Sequence, residues 1–131
     1  MVTLNGELIA AVLRIGRDGR SIDNLSAGGI AAAVDISSGV VKTIGKTYLD
    51  EEFVLHPNTN EPIPGFKIPR WNECIRYVEN AVKLCPGIPC VGWDIAVTDE
   101  GPTIVEVNEG TEIEVLEVPL GKGFRRIIQG K

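Results

Sequence analysis

Apolar positions in this chain gather into runs separated by glycine, proline and polar clusters. Glu7 to Ile15 is a nearly continuous apolar run with β-branched residues, which predicts a buried strand ending at Arg14. Gly16 to Ser26 is polar and punctuated by glycine, so it predicts a loop. Gly28-Gly29 opens a second apolar strand, Ile30 to Ile36, and Ser37-Ser-Gly39 predicts a turn into Val40 to Ile44. The acidic Asp50-Glu-Glu52 and the proline-rich stretch from Leu55 to Pro69 predict irregular but ordered chain. Trp71, Cys74, Ile75, Val78, Ala81, Val82 and Leu84 then recur at helical spacing, and Pro86-Gly87 ends that helix. A short second helix is expected over Glu112 to Leu120, followed by a basic tail from Lys122 to Lys131.

Between Val91 and Asn108 the pattern predicts a β-hairpin. Asp99-Glu100-Gly101 reads as a three-residue loop with Gly101 in the left-handed position. Pairing Thr98 with Pro102 sets Asp94 opposite Glu106, Ala96 opposite Ile104 and Gly92 opposite Asn108. Side chains alternate along a strand, so Asp94, Glu106 and Asn108 share one face. Trp93, Ile95, Val97, Val105 and Val107 share the other, which is expected to pack on the core. Two directly opposed carboxylates lie roughly 5 Å apart at Cβ and repel each other. A cation between them removes that cost, and oxygen donors from Asp, Glu and Asn suit a hard ion such as Mg²⁺. Gly92 opposite Asn108 is expected to leave open space for a bulky ligand. The alternative is a solvated hairpin face carrying ordinary surface acids.

The 131 residues are most simply one domain, able to bury roughly two-thirds of the unfolded surface. Hydrophobic residues at 44% and charged residues at 24% are ordinary for a globular protein, but aromatics at 5% leave aliphatic side chains to build the core. A formal net charge of −5 argues against non-specific nucleic-acid binding, which needs a basic surface. No apolar run approaches the ~20 residues of a membrane span, and no secretory leader pattern opens the chain, so a cytoplasmic location is expected. Cys74, Cys85 and Cys90 form an odd set that predicts free thiols. The element order predicts an α+β fold, a twisted and mostly antiparallel sheet with one main helix packed on it.

Six segments occur in an order that resembles the sugar-transfer-associated branch of the ATP-grasp superfamily. They are Leu13-Arg-Ile-Gly16, Asp23-Asn-Leu-Ser-Ala-Gly-Gly29, His56-Pro-Asn-Thr59, Pro64-Gly-Phe-Lys-Ile-Pro-Arg-Trp71, Gly92-Trp-Asp94 and Glu106-Val-Asn108. The resemblance implies the carboxy-terminal half of an ATP-grasp fold, with the adenine hinge and the ATP-binding lysines upstream of the part seen here. The chain is therefore expected to be a fragment of a longer ligase, inactive alone, that pairs with the missing amino-terminal half or self-associates as a homodimer.

The activity implied by the resemblance joins a carboxylate to an amine or similar nucleophile through an acyl phosphate, using ATP and Mg²⁺ or Mn²⁺. The family name links it to sugar-transfer and surface-polysaccharide pathways. In that scheme Glu106 bridges two ions, Asp94 holds one and Asn108 the other. Arg14 steadies the transferred phosphoryl group, while Asn24, Gly28 and Gly29 form a nucleotide-side loop. Each residue also has a plainer reading. Arg14 can be a surface arginine at a strand end, with Arg17 or Arg20 able to take its place, and the glycines can serve a simple turn. His56 is read as a hydrogen-bonded structural histidine, Trp71 as a core or helix-start anchor, and Thr111, Glu112 and Glu114 as capping or solvated positions. The competing function is a non-catalytic module that folds and associates but binds no nucleotide. A divalent-cation hairpin unrelated to ligases is a third reading.

Overall fold

The computed structural model of the protein describes residues 1–21, 23–111, 113–121, 123 and 124. In chain order it contains β1 (Val2–Leu4), β2 (Glu7–Ala10), β3 (Val12–Ile15), a 3-10 turn (Leu25–Ala27), β4 (Ile30–Ala33), β5 (Gly45–Lys46) and β6 (Glu52–Phe53). There follow α1 (Trp71–Val82), β7 (Cys90–Thr98), β8 (Gly101–Glu109) and α2 (Ile113–Leu120). The strands form two antiparallel four-stranded sheets, ordered β2-β1-β7-β8 and β3-β4-β5-β6. The α+β class and the antiparallel pairing agree with expectation, but the strands divide between two sheets.

The division comes from the apolar run between Glu7 and Ile15. It is not one strand: β2 belongs to the first sheet and β3 to the second, with only Ala11 between them. Ala10 and Ala11 are buried, and the Ala11 carbonyl accepts from the Val34 amide at 2.9 Å. Small side chains at the crossing let the sheets approach closely. The first sheet also begins earlier than the pattern suggested. Asn5-Gly6, both at positive φ, turns β1 back into β2, and this dipeptide is a strong hairpin signal.

Helix α1 follows expectation closely, ending at Val82 and not at Leu84. Pro69 and a left-handed Arg70 start it, and Trp71, Cys74 and Val78 form its buried stripe. The Trp71 indole donates to the Ile36 carbonyl at 2.7 Å, tying the helix start to the turn after β4. Val78 packs with Val91 and Trp93, so α1 covers one face of β7. Leu116 of α2 packs with Val2, Ala10 and Cys90 on the opposite face. The three cysteines are free thiols. Glu112 and most of the basic tail lie outside the described residues; Phe124 packs beside Leu116. Among the described residues no helix is long and apolar enough to cross a membrane.

The hairpin reaches the expected pairing by a different route. Thr98 pairs with Gly101, so the loop is the two residues Asp99 and Glu100, not three. The register then runs Val97 to Pro102, Ala96 to Thr103 and Ile95 to Ile104. A bulge between Asp94 and Ile95 takes up Val105 as an extra residue and restores Asp94 to Glu106, Trp93 to Val107 and Gly92 to Asn108. The shorter loop and the bulge cancel. The core face changes as a result: Ile104 packs beside Trp93 and Ile95, while Val105 is 69% exposed. Val97, on β7, and Val107, on β8, are exposed too.

Met1 extends the β1–β7 ladder. Its amine donates to the Trp93 carbonyl at 2.8 Å, and its carbonyl accepts from the Trp93 amide at 2.8 Å. Burial pushes this amine down to about 6 from its usual 8.0, with nearby Asp94 opposing the shift and Arg14 adding to it.

Two outcomes are expected. Ile104→Ala should cost roughly 1–2 kcal/mol in urea unfolding, and Val105→Thr less than about 0.5 kcal/mol. The reverse order would restore the unbulged register. For a chain with a free amine on Met1, the unfolded state takes up a proton between pH 8 and 6 that the folded state refuses. Stability should therefore rise with pH across that window, by at most about 2–3 kcal/mol, and be flat on either side. Unfolding curves at pH 6 and 8 measure the slope, which acetylation of the amine should abolish.

Candidate functional site

Burying Trp93 on the α1 side of β7 turns Asp94 to the other side. Trp93 is 1% exposed, and its indole donates to the buried Thr3 hydroxyl at 2.9 Å. With that face fixed, Asp94 lies opposite Glu106, and Asn108 stands two residues further along the same side of β8. The three side chains line one cleft of about 840 Å³, together with Arg14, Asp23 and Asn24. Arg14 and Asn24 thus line the same cleft as the acidic pair.

Arg14 enters from the second sheet. Leu13 and Ile15 pack against the core, so alternation on β3 aims Arg14 the opposite way. Its Nη2 lies 3.2 Å from Asp94 Oδ2 and 3.7 Å from Asp23 Oδ1, and its Nη1 donates to Asn24 Oδ1 at 3.4 Å. Asp23 belongs to the sequence motif but carried no expected role; here it is Arg14's second carboxylate. Its position directly before Asn24 was the available signal. Asp23, Asp94, Glu106 and Glu109 line the cleft, with Arg14 as the one lining side-chain cation among the described residues. The cleft thus keeps an excess of negative charge.

The loop carrying Asp23 and Asn24 is held in place by the other two arginines. Arg17 Nε donates to the Gly28 carbonyl at 2.8 Å and Arg20 Nη1 to the Ala27 carbonyl at 2.8 Å. Arg17 also pairs with Glu51 at 3.0 Å and lies over the Phe53 ring. Its hydrogen bond holds the Glu51 carboxyl below the usual range. Neither arginine contacts the acidic pair, so neither replaces Arg14 there.

Gly28 and Gly29 do not line the cleft. Gly28 closes the 3-10 turn in the left-handed conformation. Gly29 donates to the Asn24 carbonyl at 3.0 Å, and a Cβ on it would collide with the backbone of Asp23. Both glycines therefore have a structural task, folding the loop back so that Asp23 and Asn24 reach Arg14. The His56 ring has one as well: Nδ1 accepts from the Asn58 amide at 3.3 Å, which leaves Nε2–H to donate to the Gly16 carbonyl at 2.8 Å.

The space over Gly92 is not open. A Cβ built there would come 3.0 Å from Thr111 Oγ1, so Thr111 occupies the volume that the missing side chain leaves. The short strand residue gives room to the chain leading into α2, not to a ligand.

Among the described residues no three His, Cys, Asp or Glu side chains gather into a metal-holding group. The donor set is instead two opposed carboxylates with one amide. That set is incomplete for Ca²⁺, which takes six to eight oxygens, but it fits Mg²⁺, which binds through one or two carboxylates and keeps its water or phosphate ligands.

Comparison with known proteins gives one positive result. Neither the curated proteins nor the solved structures include a significant match to the chain. The family model for sugar-transfer associated ATP-grasp matches residues 1–130. The pairing of Asp94 with Glu106-Val-Asn108, across a cleft from Arg14, thus lies within a chain that belongs to the sugar-transfer associated ATP-grasp family.

Proposed function

We propose that this chain is the metal- and phosphate-handling part of an ATP-dependent ligase that joins a carboxylate to an amine or similar nucleophile. The observation that carries the reading is the convergence of Asp94, Glu106, Asn108 and Arg14 in one cleft, from two different sheets. A fold gains nothing from directly opposing two carboxylates, whereas a divalent cation does.

In this reading Glu106 and Asp94 hold Mg²⁺ or Mn²⁺, with Asn108 adding an amide oxygen. The cation's contribution is to offset negative charge on the phosphate oxygens. Arg14 presents a planar fork of donors suited to a phosphoryl group. Asn24, at 3.4 Å, holds that fork in position. The chemistry has two balanced steps. A carboxylate oxygen attacks the γ-phosphorus of ATP and the bond to the β-phosphate oxygen breaks, giving an acyl phosphate and ADP. The nucleophile then attacks the acyl carbon, phosphate leaves with the bonding pair, and the nucleophile's proton goes to solvent or base. Phosphate transfer of this kind depends on positioning and charge compensation more than on covalent chemistry by the protein. The family name supports a sugar derivative as one of the joined molecules.

Glu106→Gln tests the reading because it removes one charge and nearly preserves shape. Without metal the variant should be as stable as wild type or up to about 1 kcal/mol more stable, since a like-charge pair is lost. Millimolar Mn²⁺ should raise the melting temperature of wild type and leave Glu106→Gln unmoved. A variant clearly less stable than wild type without metal would make Glu106 a structural residue and remove the basis of the assignment.

A further inference from the structure

Resting on that reading of the acidic pair, we propose that Arg14 is an internal occupant of the cation site. It neutralises Asp94 until a divalent cation displaces it, so the site favours a cation that arrives with an anion over a bare one. The opposed carboxylates raise the question of what makes the pair tolerable in a cleft with four lining acids. Arg14 answers it directly. Its guanidinium lies 3.2 Å from Asp94 Oδ2, and both side chains are about 30% exposed, so the attraction is only partly screened. A divalent cation at Asp94 and a guanidinium at that distance repel one another. Binding of the ion therefore requires Arg14 to leave Asp94.

The displaced guanidinium has a place to go. Asp23 at 3.7 Å and Asn24 at 3.4 Å sit on the loop that Gly28, Gly29, Arg17 and Arg20 hold in shape. Arg14 can shift toward these two partners, which it already approaches. It then remains beside the acidic pair as a donor fork, placed for an anion carried by the incoming ion. A bare cation has to break the Arg14–Asp94 pair with only Asp23 and Asn24 left to the guanidinium. A cation bearing phosphate oxygens breaks the same pair and returns a phosphate–guanidinium contact. Arg14 in this role is a selectivity device as well as a phosphate ligand.

The discriminating experiment measures Mn²⁺ alone, with no nucleotide, by the loss of its free electron-paramagnetic-resonance signal. It compares wild type, Arg14→Lys, Arg14→Gln and Glu106→Gln, each checked for folding by circular dichroism. Arg14→Gln is expected to bind Mn²⁺ on the order of tenfold more tightly than wild type. Arg14→Lys, which keeps the charge, should stay near wild type. Equal or weaker binding by Arg14→Gln, with Glu106→Gln still abolishing it, would overturn the displacement while leaving the metal site standing. Absence of Mn²⁺ binding in both wild type and Arg14→Gln would overturn the metal reading and the displacement with it. Should Arg14→Gln not fold, nuclear magnetic resonance of the wild-type Arg14 Nη2–H, the group at Asp94, during Mg²⁺ addition decides the matter. Its exchange with water should quicken as Asp94 is taken, and an unchanged signal at saturating Mg²⁺ would contradict the proposal.

Discussion

Trp93 sets the arrangement of the cleft. Its indole is enclosed between α1 and β1, and its nitrogen donates to a threonine hydroxyl that has no access to water. Turning that side chain outward would expose its large apolar surface and leave the buried Thr3 hydroxyl without its partner. The strand can therefore not rotate, and the pleat carries Asp94 to the opposite side. The chemistry proposed for this chain follows from an apolar constraint one residue away.

The second constraint is the passage between sheets at Ala10-Ala11. A strand that ran straight from Glu7 to Ile15 would keep Arg14 in the same sheet as Asp94. Because the chain changes sheet between β2 and β3, Arg14 projects from across the cleft and meets Asp94 at 3.2 Å. The loop that follows is folded back by Gly29 and by the Arg17 and Arg20 contacts to its carbonyls. One short stretch of chain thus supplies the arginine, its second carboxylate and its amide partner. The cleft is built by two sheets: β3 brings Arg14, and β7 and β8 bring Asp94 and Glu106.

Much of this was legible in the residues, and the failures have physical causes. Helix α1 could be read because its apolar residues, from Trp71 through Cys74 and Val78, recur at a spacing that only a helix packed on a core brings to one side. The facing of Asp94 and Glu106 could be read only because the two-residue loop and the bulge cancel and leave the alternation of both strands in phase. The bulge at Val105 could not, since strand periodicity does not register one extra residue when a loop shortens by one to match. The reading of Val107 as core failed for a related reason: alternation assigns a face, but only an element packed over that face buries it, and Val107 stays 45% exposed. The apolar run from Glu7 to Ile15 concealed a change of sheet because apolar residues continue through Ala10-Ala11 with no turn residue to mark it. Gly92 was misjudged because a glycine signals only that something comes close, and here that is Thr111, a residue distant in sequence.

The central claim is that Asp94, Glu106 and Asn108 form a divalent-cation site facing Arg14. The most direct measurement is anomalous diffraction from crystals of the protein soaked in Mn²⁺ with a non-hydrolysable ATP analogue. The account requires a manganese peak between the Asp94 and Glu106 carboxylates, with the Arg14 guanidinium moved off Asp94 toward phosphate. Manganese bound elsewhere, or an Arg14–Asp94 pair intact beside an empty acidic face at saturating metal and nucleotide, would contradict it.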